Sequence, residues 1–438
     1  MQVGLTLRSL RRPGVSRRII EMRILSMGIV VLMAGLASTK VCAEDWTEFR
    51  GPTSQGHSTT THLPTHWSRT ENIAWSREVP GKGWSSPIVL KKRLYLTTAV
   101  PAGPATSPQS LRAVCMSAET GEMLWNVEVF QQPAGAPVHD KNSHASATPV
   151  TDGKRLFVHF GPHGTACLAL DDGQIVWRNE ELQYSPVHGN GGSPVLVNGL
   201  VVVNCDGSDR QFVAALDQQS GMIRWQSPRN LNPERGFSFG TPLVITVAGR
   251  KQVISAGSDG VQAFDPGDGG EIWRVTYPGG YSVVPRPVFG AGLLFVCTGY
   301  NSPVLLAIRP EGAQGDVTAT HVVWQSNKGV PHNPSPLLVD DAVYLVSDKG
   351  VATCLDADTG RERWHERLGG NFSASPLYAD GKIFVQSEEG DGIVFSPGGK
   401  YQELGRNPLE ERTLASYAVG DGALFIRSER HLARITGK

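Results

Sequence analysis

Short runs of apolar, β-branched and aromatic residues alternate along the chain with turns rich in Gly, Pro, Asp and Asn, and the pattern recurs every ~40 to 50 residues. Each unit opens on a Ser-Pro, Thr-Pro or Arg-Pro step before an apolar stretch, with prolines at Pro87, Pro149, Pro194, Pro242, Pro287, Pro336 and Pro376. Proline is tolerated at the first residue of a strand, where no ladder donor is needed. Two-residue turn signals follow at Asp152-Gly153, Asn198-Gly199, Asp380-Gly381 and Asp421-Gly422. They lead into second strands such as Leu156-Phe157-Val158 and Val343-Tyr344-Leu345. A third strand then ends in an acidic turn and a tryptophan, as in Cys354-Leu355-Asp356-Ala357-Asp358-Thr359-Gly360-Arg361-Glu362-Arg363-Trp364. Trp125, Trp177, Trp225, Trp273, Trp324 and Trp364 follow one another at 52, 48, 48, 51 and 40 residues. Four strands per unit, A to D, predict an all-β propeller of four-stranded antiparallel blades.

Closure is also predicted. The last unit, Leu414 to Thr436, holds three strands but no tryptophan-bearing fourth, and an open ring would leave unpaired edges. Asn72-Ile73-Ala74-Trp75-Ser76-Arg77-Glu78 has the fourth-strand pattern with no complete blade before it. The two ends are therefore expected to share one blade, which gives eight. Seven is the alternative, because the last unit carries Ser416-Tyr417 in place of Ser-Pro.

The apolar strand, Asp, Thr-Gly turn and Trp together resemble the repeat of the pyrroloquinoline-quinone (PQQ)-type propellers, over nearly all of residues 71–438. The resemblance implies that Trp75 and its six successors act as pegs between neighbouring blades. Asp45-Trp46-Thr47-Glu48-Phe49-Arg50-Gly51-Pro52, Gly83-Trp84-Ser85-Ser86-Pro87, Gly370-Asn371-Phe372-Ser373-Ala374-Ser375-Pro376 and Thr413-Leu414-Ala415-Ser416-Tyr417-Ala418 resemble a narrower, planctomycete-type exported set.

Composition narrows the function classes. The 41 basic and 41 acidic residues balance, so no global field gathers a polyanion, and nucleic acid is not an expected partner. Residues 1–43 read as an export signal, with Arg17, Arg18 and Arg23 before an apolar run from Ile24 to Leu36 and a small-residue cut site at Val41-Cys42-Ala43. That run is short for a membrane span, so no transmembrane segment is expected after cleavage. Cys42 raises a lipoprotein alternative, against which Lys40 counts. A leader over 44–70 precedes a single propeller domain over 71–438. Histidines 57, 62 and 66 fall in that leader and read as surface loop rather than metal ligands. The five remaining cysteines, Cys115, Cys167, Cys205, Cys297 and Cys354, sit mostly inside strand patterns as small buried hydrophobes. No disulfide framework or Cys-x-x-Cys site is expected.

In a propeller strand A is innermost, so the loops entering it deliver residues to one mouth of the central channel. Trp84, His144, His188, Asn190, Phe239, Tyr281, Arg286, His332, Asn333, Asn371 and Phe372 fall there and form the candidate binding ring. Packing and turn-capping are the competing role for each. No catalytic set, metal site or cofactor is expected. The reading is an exported, periplasmic or extracellular monomer serving as a scaffold for an envelope protein, peptide or saccharide. By fold it resembles the propeller scaffold of outer-membrane β-barrel assembly. The alternative is a quinone-dependent alcohol dehydrogenase of the polyvinyl-alcohol type, using PQQ and calcium. Against it, the chain is short, lacks the adjacent cysteine pair and offers no calcium donor set, and the Asp356 turn has Arg367 at the twelfth position of a calcium loop. N-terminal sequencing of the exported form is expected to begin at Glu44, and any other first residue contradicts the cleavage point.

Overall fold

The computed structural model describes residues 44–103, 107–136 and 138–437. The expected export signal over 1–43, with Cys42 and the cut after Ala43, lies outside the described residues.

Eight antiparallel sheets, each meandering from an inner strand A to an outer strand D, form an eight-bladed β-propeller. Blades 1 to 7 span 88–132, 150–179, 195–228, 243–276, 288–326, 337–367 and 377–408. Blade 8 takes strands A to C from Ala418–Gly420, Ala423–Arg427 and His431–Ile435, and its strand D from Ile73–Glu78, with Trp75 opposite Arg434. The ring is thus closed by pairing the two ends of the domain, and the seven-blade alternative falls. Among the described residues no helix is long and apolar enough to cross a membrane.

The Ser-Pro and Thr-Pro steps have a second physical reason beyond strand entry. At all but one of these steps the residue before the proline bonds its amide to the corresponding hydroxyl of the next blade. Ser86 bonds to Thr148, Thr148 to Ser193, Ser193 to Thr241, Ser335 to Ser375, Ser375 to Ser416 and Ser416 back to Ser86, at 2.9–3.1 Å. Arg286 gives its amide to Ser335 in the same way, 3.0 Å. Seven of the eight junctions are tied by such a bond. At the eighth, between blades 4 and 5, the Arg286 guanidinium donates to Pro242 O instead, 2.9 Å. Ser416 keeps its place in this circle although no proline follows it.

The tryptophans tie the blades farther out. Indole N–H groups of Trp75, Trp125, Trp177, Trp225, Trp324 and Trp364 donate to Ala118, Leu170, Gln218, Pro266, Ala357 and Gly398 carbonyls of the following blade, at 2.8–3.1 Å. Each of these rings, buried in four blades and half-buried at Trp324 and Trp364, therefore has its single donor satisfied. The glycine of the Thr-Gly or Ser-Gly turn lies beneath the ring. Gly221 has φ +72°, and a Cβ there would come within 2.5 Å of the Trp177 ring. Only glycine meets both demands.

Two junctions depart from the repeat. Trp273 is fully buried between blades 4 and 5, but donates to Gln252 Oε1 of its own blade, 2.9 Å. Blade 5 has no Thr-Gly turn to receive it: residues 309–321 form an insertion whose Gly315–Asp316 pairs in parallel with Trp273 and Arg274 as a fifth strand. Blade 7 has Gly405 at the peg position, opposite Val394. A Cβ there would collide with the Thr65 carbonyl, and the leader's Trp67 fills the wedge instead, 6.4 Å edge-on to Tyr417.

All five cysteines are free and buried, as the strand pattern predicts. Burial pushes the Cys115 and Cys167 thiols up to about 12, which leaves them unreactive. Ser193→Ala removes the acceptor of the Thr148 amide and leaves that buried donor bare. It is expected to destabilise the protein by about 1–3 kcal/mol in urea unfolding, whereas Ser193→Thr keeps the oxygen and most of the stability.

Candidate functional site

Strand direction assigns the loops to two faces. The D-to-A connections and the B-to-C turns share one face, here the upper; the A-to-B and C-to-D turns share the lower. On the lower face the leader enters the channel. Trp46 pairs with Val89 of blade 1 through two backbone bonds of 2.7 and 2.8 Å, and Thr47 O accepts from Thr151 N of blade 2, 3.0 Å. Gly56 O accepts from Tyr378 N of blade 7, 2.8 Å. The His57 ring bonds to Leu338 O of blade 6, 2.7 Å. His57 is thus a half-buried anchor rather than the surface-loop residue expected; His62 and His66 are exposed. From above, Arg286 reaches down to Glu48 (3.0 Å) and the Phe49 carbonyl (2.6 Å). Gly51, with φ +76°, lets the chain fold back against the Trp46 ring.

This plug turns the channel into a socket that opens upward. Its volume is about 690 Å³, with Phe49 among its lining residues and the inter-blade hydroxyls Ser86, Thr148, Ser193, Thr241, Ser335, Ser375 and Ser416 around its wall. Above them lies an arc of aromatic rings. His139 and His188 are 5.2 Å apart between centroids, His188 and Phe237 5.4 Å, Phe237 and Tyr281 5.6 Å, Tyr281 and Tyr300 5.6 Å, and Tyr300 and His332 4.8 Å. Phe239 backs the arc, 6.0 Å from Phe237. Burial first, then repulsion from His139, lowers His188 below the usual imidazole range. The rest of the rim is polar. Arg235 lies 4.9 Å over the Tyr281 ring and donates to its hydroxyl, 2.6 Å. Lys141 pairs with Glu388 at 2.8 Å. Asp348 accepts from the His332 amide (2.6 Å) and the Asn333 side chain (2.5 Å).

Of the residues singled out from sequence, Trp84, His188, Phe239, Tyr281, His332 and Asn333 line the socket together. The others do not. His144 is half-buried outside the lining, where burial lowers its pKa, and it acts electrostatically on His163. Asn190 accepts from the Tyr184 hydroxyl, 3.1 Å. Asn371 bonds to Glu389, 2.8 Å. Phe372 is fully buried in the core cluster shared by blades 6 and 7. Arg286 is fully buried and ties the plug to the ring. Sequence reasoning missed His139, Lys141, Arg235 and Phe237, which share the D-to-A loops already under suspicion, and Tyr300 and Asp348, which belong to B-to-C turns on the same face.

A ring of eight such blades, hydroxyl-linked inside and tryptophan-pegged outside, is a PQQ-like repeat propeller. The chain belongs to the family described as outer membrane protein assembly factor BamB, whose model matches residues 110–318 and 313–400. The BamB of Yersinia pestis is 22% identical over 68% of this chain and 75% of its own length. That of Burkholderia pseudomallei is 30% identical over 24% of this chain, a match spanning only 28% of that relative. The dehydrogenase subunit of the quinone alcohol dehydrogenase of Gluconobacter oxydans is 25% identical over 62% of this chain and 34% of its own length. The crystal structure of BamB from Moraxella catarrhalis superposes with a TM-score of 0.60 at 14% identity, covering 84% of this chain and 97% of that one, which is a likeness of fold.

Arg286→Gln is expected to remove the charged tie between the plug and blade 5, leaving only Gln55 on the Phe289 amide there, and to strip the Glu48 carboxylate of its ion-pair partner, at a stability cost of about 3 kcal/mol. Hydrogen exchange of the Trp46 and Thr151 amides should accelerate, while the peg strands of blades 2 and 3 stay protected.

Proposed function

We propose that the protein is an exported envelope scaffold whose upper socket grips an extended segment of a partner envelope protein. The observation that carries this reading is the blind, aromatic-lined socket itself. A concavity of several hundred cubic ångströms with a few convergent polar groups suits a short run of side chains. Aromatic rims supply large contact area at low entropic cost, and Arg235, Lys141 and Asp348 supply orientation. Membership of a family described by outer membrane protein assembly supports a partner of that kind.

The quinone-dependent reading rests on the relationship to alcohol dehydrogenase subunits, and the residues lining the socket do not fit a calcium and quinone pair. Calcium takes six to eight oxygens with several carboxylates. Among the described residues Asp348 is the one carboxylate lining the socket, and it is held by His332 and Asn333. Among the described residues no cluster of three His, Cys, Asp or Glu side chains could hold a metal.

The test is a photo-crosslinker placed at Tyr300, 44% exposed on the rim, in cells of the native host. A crosslink to an envelope protein, reduced at least tenfold by Phe237→Ala with Tyr281→Ala, is the expected outcome. Retention of that crosslink in the folded double variant would remove the socket as the gripping site. Added PQQ with calcium is expected to leave the melting temperature unchanged; a rise accompanied by dye reduction would transfer the function to the dehydrogenase reading.

A further inference from the structure

The interior of the propeller holds four arginines with almost no accessible surface: Arg50, Arg229, Arg286 and Arg427. A guanidinium carries five N–H donors and a charge it does not shed, so burial is tolerated only where acceptors or a counter-charge surround it. Arg229 and Arg286 meet that demand with a carboxylate, and Arg427 meets it in part through neutral acceptors, its Nε being left without a partner. Arg229 grips both Asp206 oxygens at 2.6 and 2.8 Å and the Ser255 hydroxyl at 2.7 Å. Arg286 holds Glu48 and two carbonyls. Arg427 has no carboxylate, but donates to Thr97 O at 2.6 Å and Ser85 Oγ at 3.0 Å.

Arg50 meets none of it. The residue is 2% exposed, and Nε, Nη1 and Nη2 all lack a hydrogen-bond partner. It forms no ion pair among the described residues, and the one carboxylate of the plug is already committed: Glu48 Oε2 to Arg286 and Oε1 to the Ser54 hydroxyl. Burial, then repulsion by Arg286, pulls the Arg50 guanidinium down to about 9, so it is still charged at neutral pH. Its guanidinium lies against Gly56, where a Cβ would come within 2.8 Å of Nη2. The channel floor thus carries two guanidinium charges against one carboxylate. Buried water could satisfy the N–H groups but not the excess charge.

We propose that a small monovalent anion, of chloride size, is a resident part of the channel floor, held by the Arg50 guanidinium and balancing Arg50 and Arg286 against Glu48. The site is separate from the socket above. It gives the Trp46-to-Gly51 stretch a chemical role beyond filling the lower mouth: the plug carries the cation that recruits its own counter-ion.

Melting curves at constant ionic strength test this, with chloride replacing gluconate from 1 to 100 mM. Wild type should gain about 2 °C or more, as linkage to a bound ligand requires, and Arg50→Met should show no gain. A crystal soaked in bromide should show anomalous density at hydrogen-bond distance from the Arg50 guanidinium. A wild type indifferent to chloride, or an equal response in wild type and Arg50→Met, overturns the proposal. If Arg50→Met fails to fold, the bromide map decides: density beside Arg50 upholds the site, and water alone there overturns it.

Discussion

Everything in this molecule depends on a circle of hydrogen bonds no wider than the channel. A proline at the start of seven of the eight inner strands removes a donor, and the residue before it offers an amide that no strand partner takes. The next blade's serine or threonine hydroxyl takes it. Each such bond contributes only about 1 kcal/mol net, but leaving any one of these buried amides bare costs more than the bond is worth. The circle therefore holds the blades in register at small radius while the tryptophans hold them at large radius. Sheets tied at two radii cannot splay, and the channel keeps a fixed bore.

A rigid bore would be a pore were it not for the leader. Residues 46 to 58 cross the lower mouth and bond to inner strands of blades 1, 2, 6 and 7, while Arg286 clasps them from blade 5. The upper half then becomes a socket whose depth is set by Phe49 and whose wall is the hydroxyl circle. Fold, floor and candidate site are one construction: the groups that join the blades also face whatever enters.

The periodic parts of this structure could be read from sequence because they repeat and are local. The Pro steps, the Asp and Gly turns and the Trp positions recur within ~50 residues, and closure follows from counting strands. What could not be read is aperiodic. Many of the plug's contacts join positions far apart in sequence, 234 residues between Gln55 and Phe289 and 281 between His57 and Leu338, and no pattern announces them. Trp273 carries the repeat's tryptophan yet loses its usual acceptor, because the 309–321 insertion lies where the turn should be. Half of the rim was visible because its loops lead into inner strands. Tyr300 and Asp348 were not, since B-to-C turns share that face only once strand direction is followed. His144, Asn190 and Phe372 sit in the right loops but turn elsewhere, and side-chain direction in an irregular loop has no sequence period to reveal it.

The joint between blades 4 and 5 is built unlike its neighbours: it has no hydroxyl tie, its tryptophan is bonded inward, and an added edge strand covers its rim. It is the seam of the ring, and its inner latch is the Arg286 side chain, whose far end is clasped to the leader rather than to either flanking sheet. A displacement of the Glu48–Phe49 stretch would therefore reach that seam directly through one side chain, whereas the inner strands of blades 1, 2, 6 and 7 feel the leader through backbone atoms of their own.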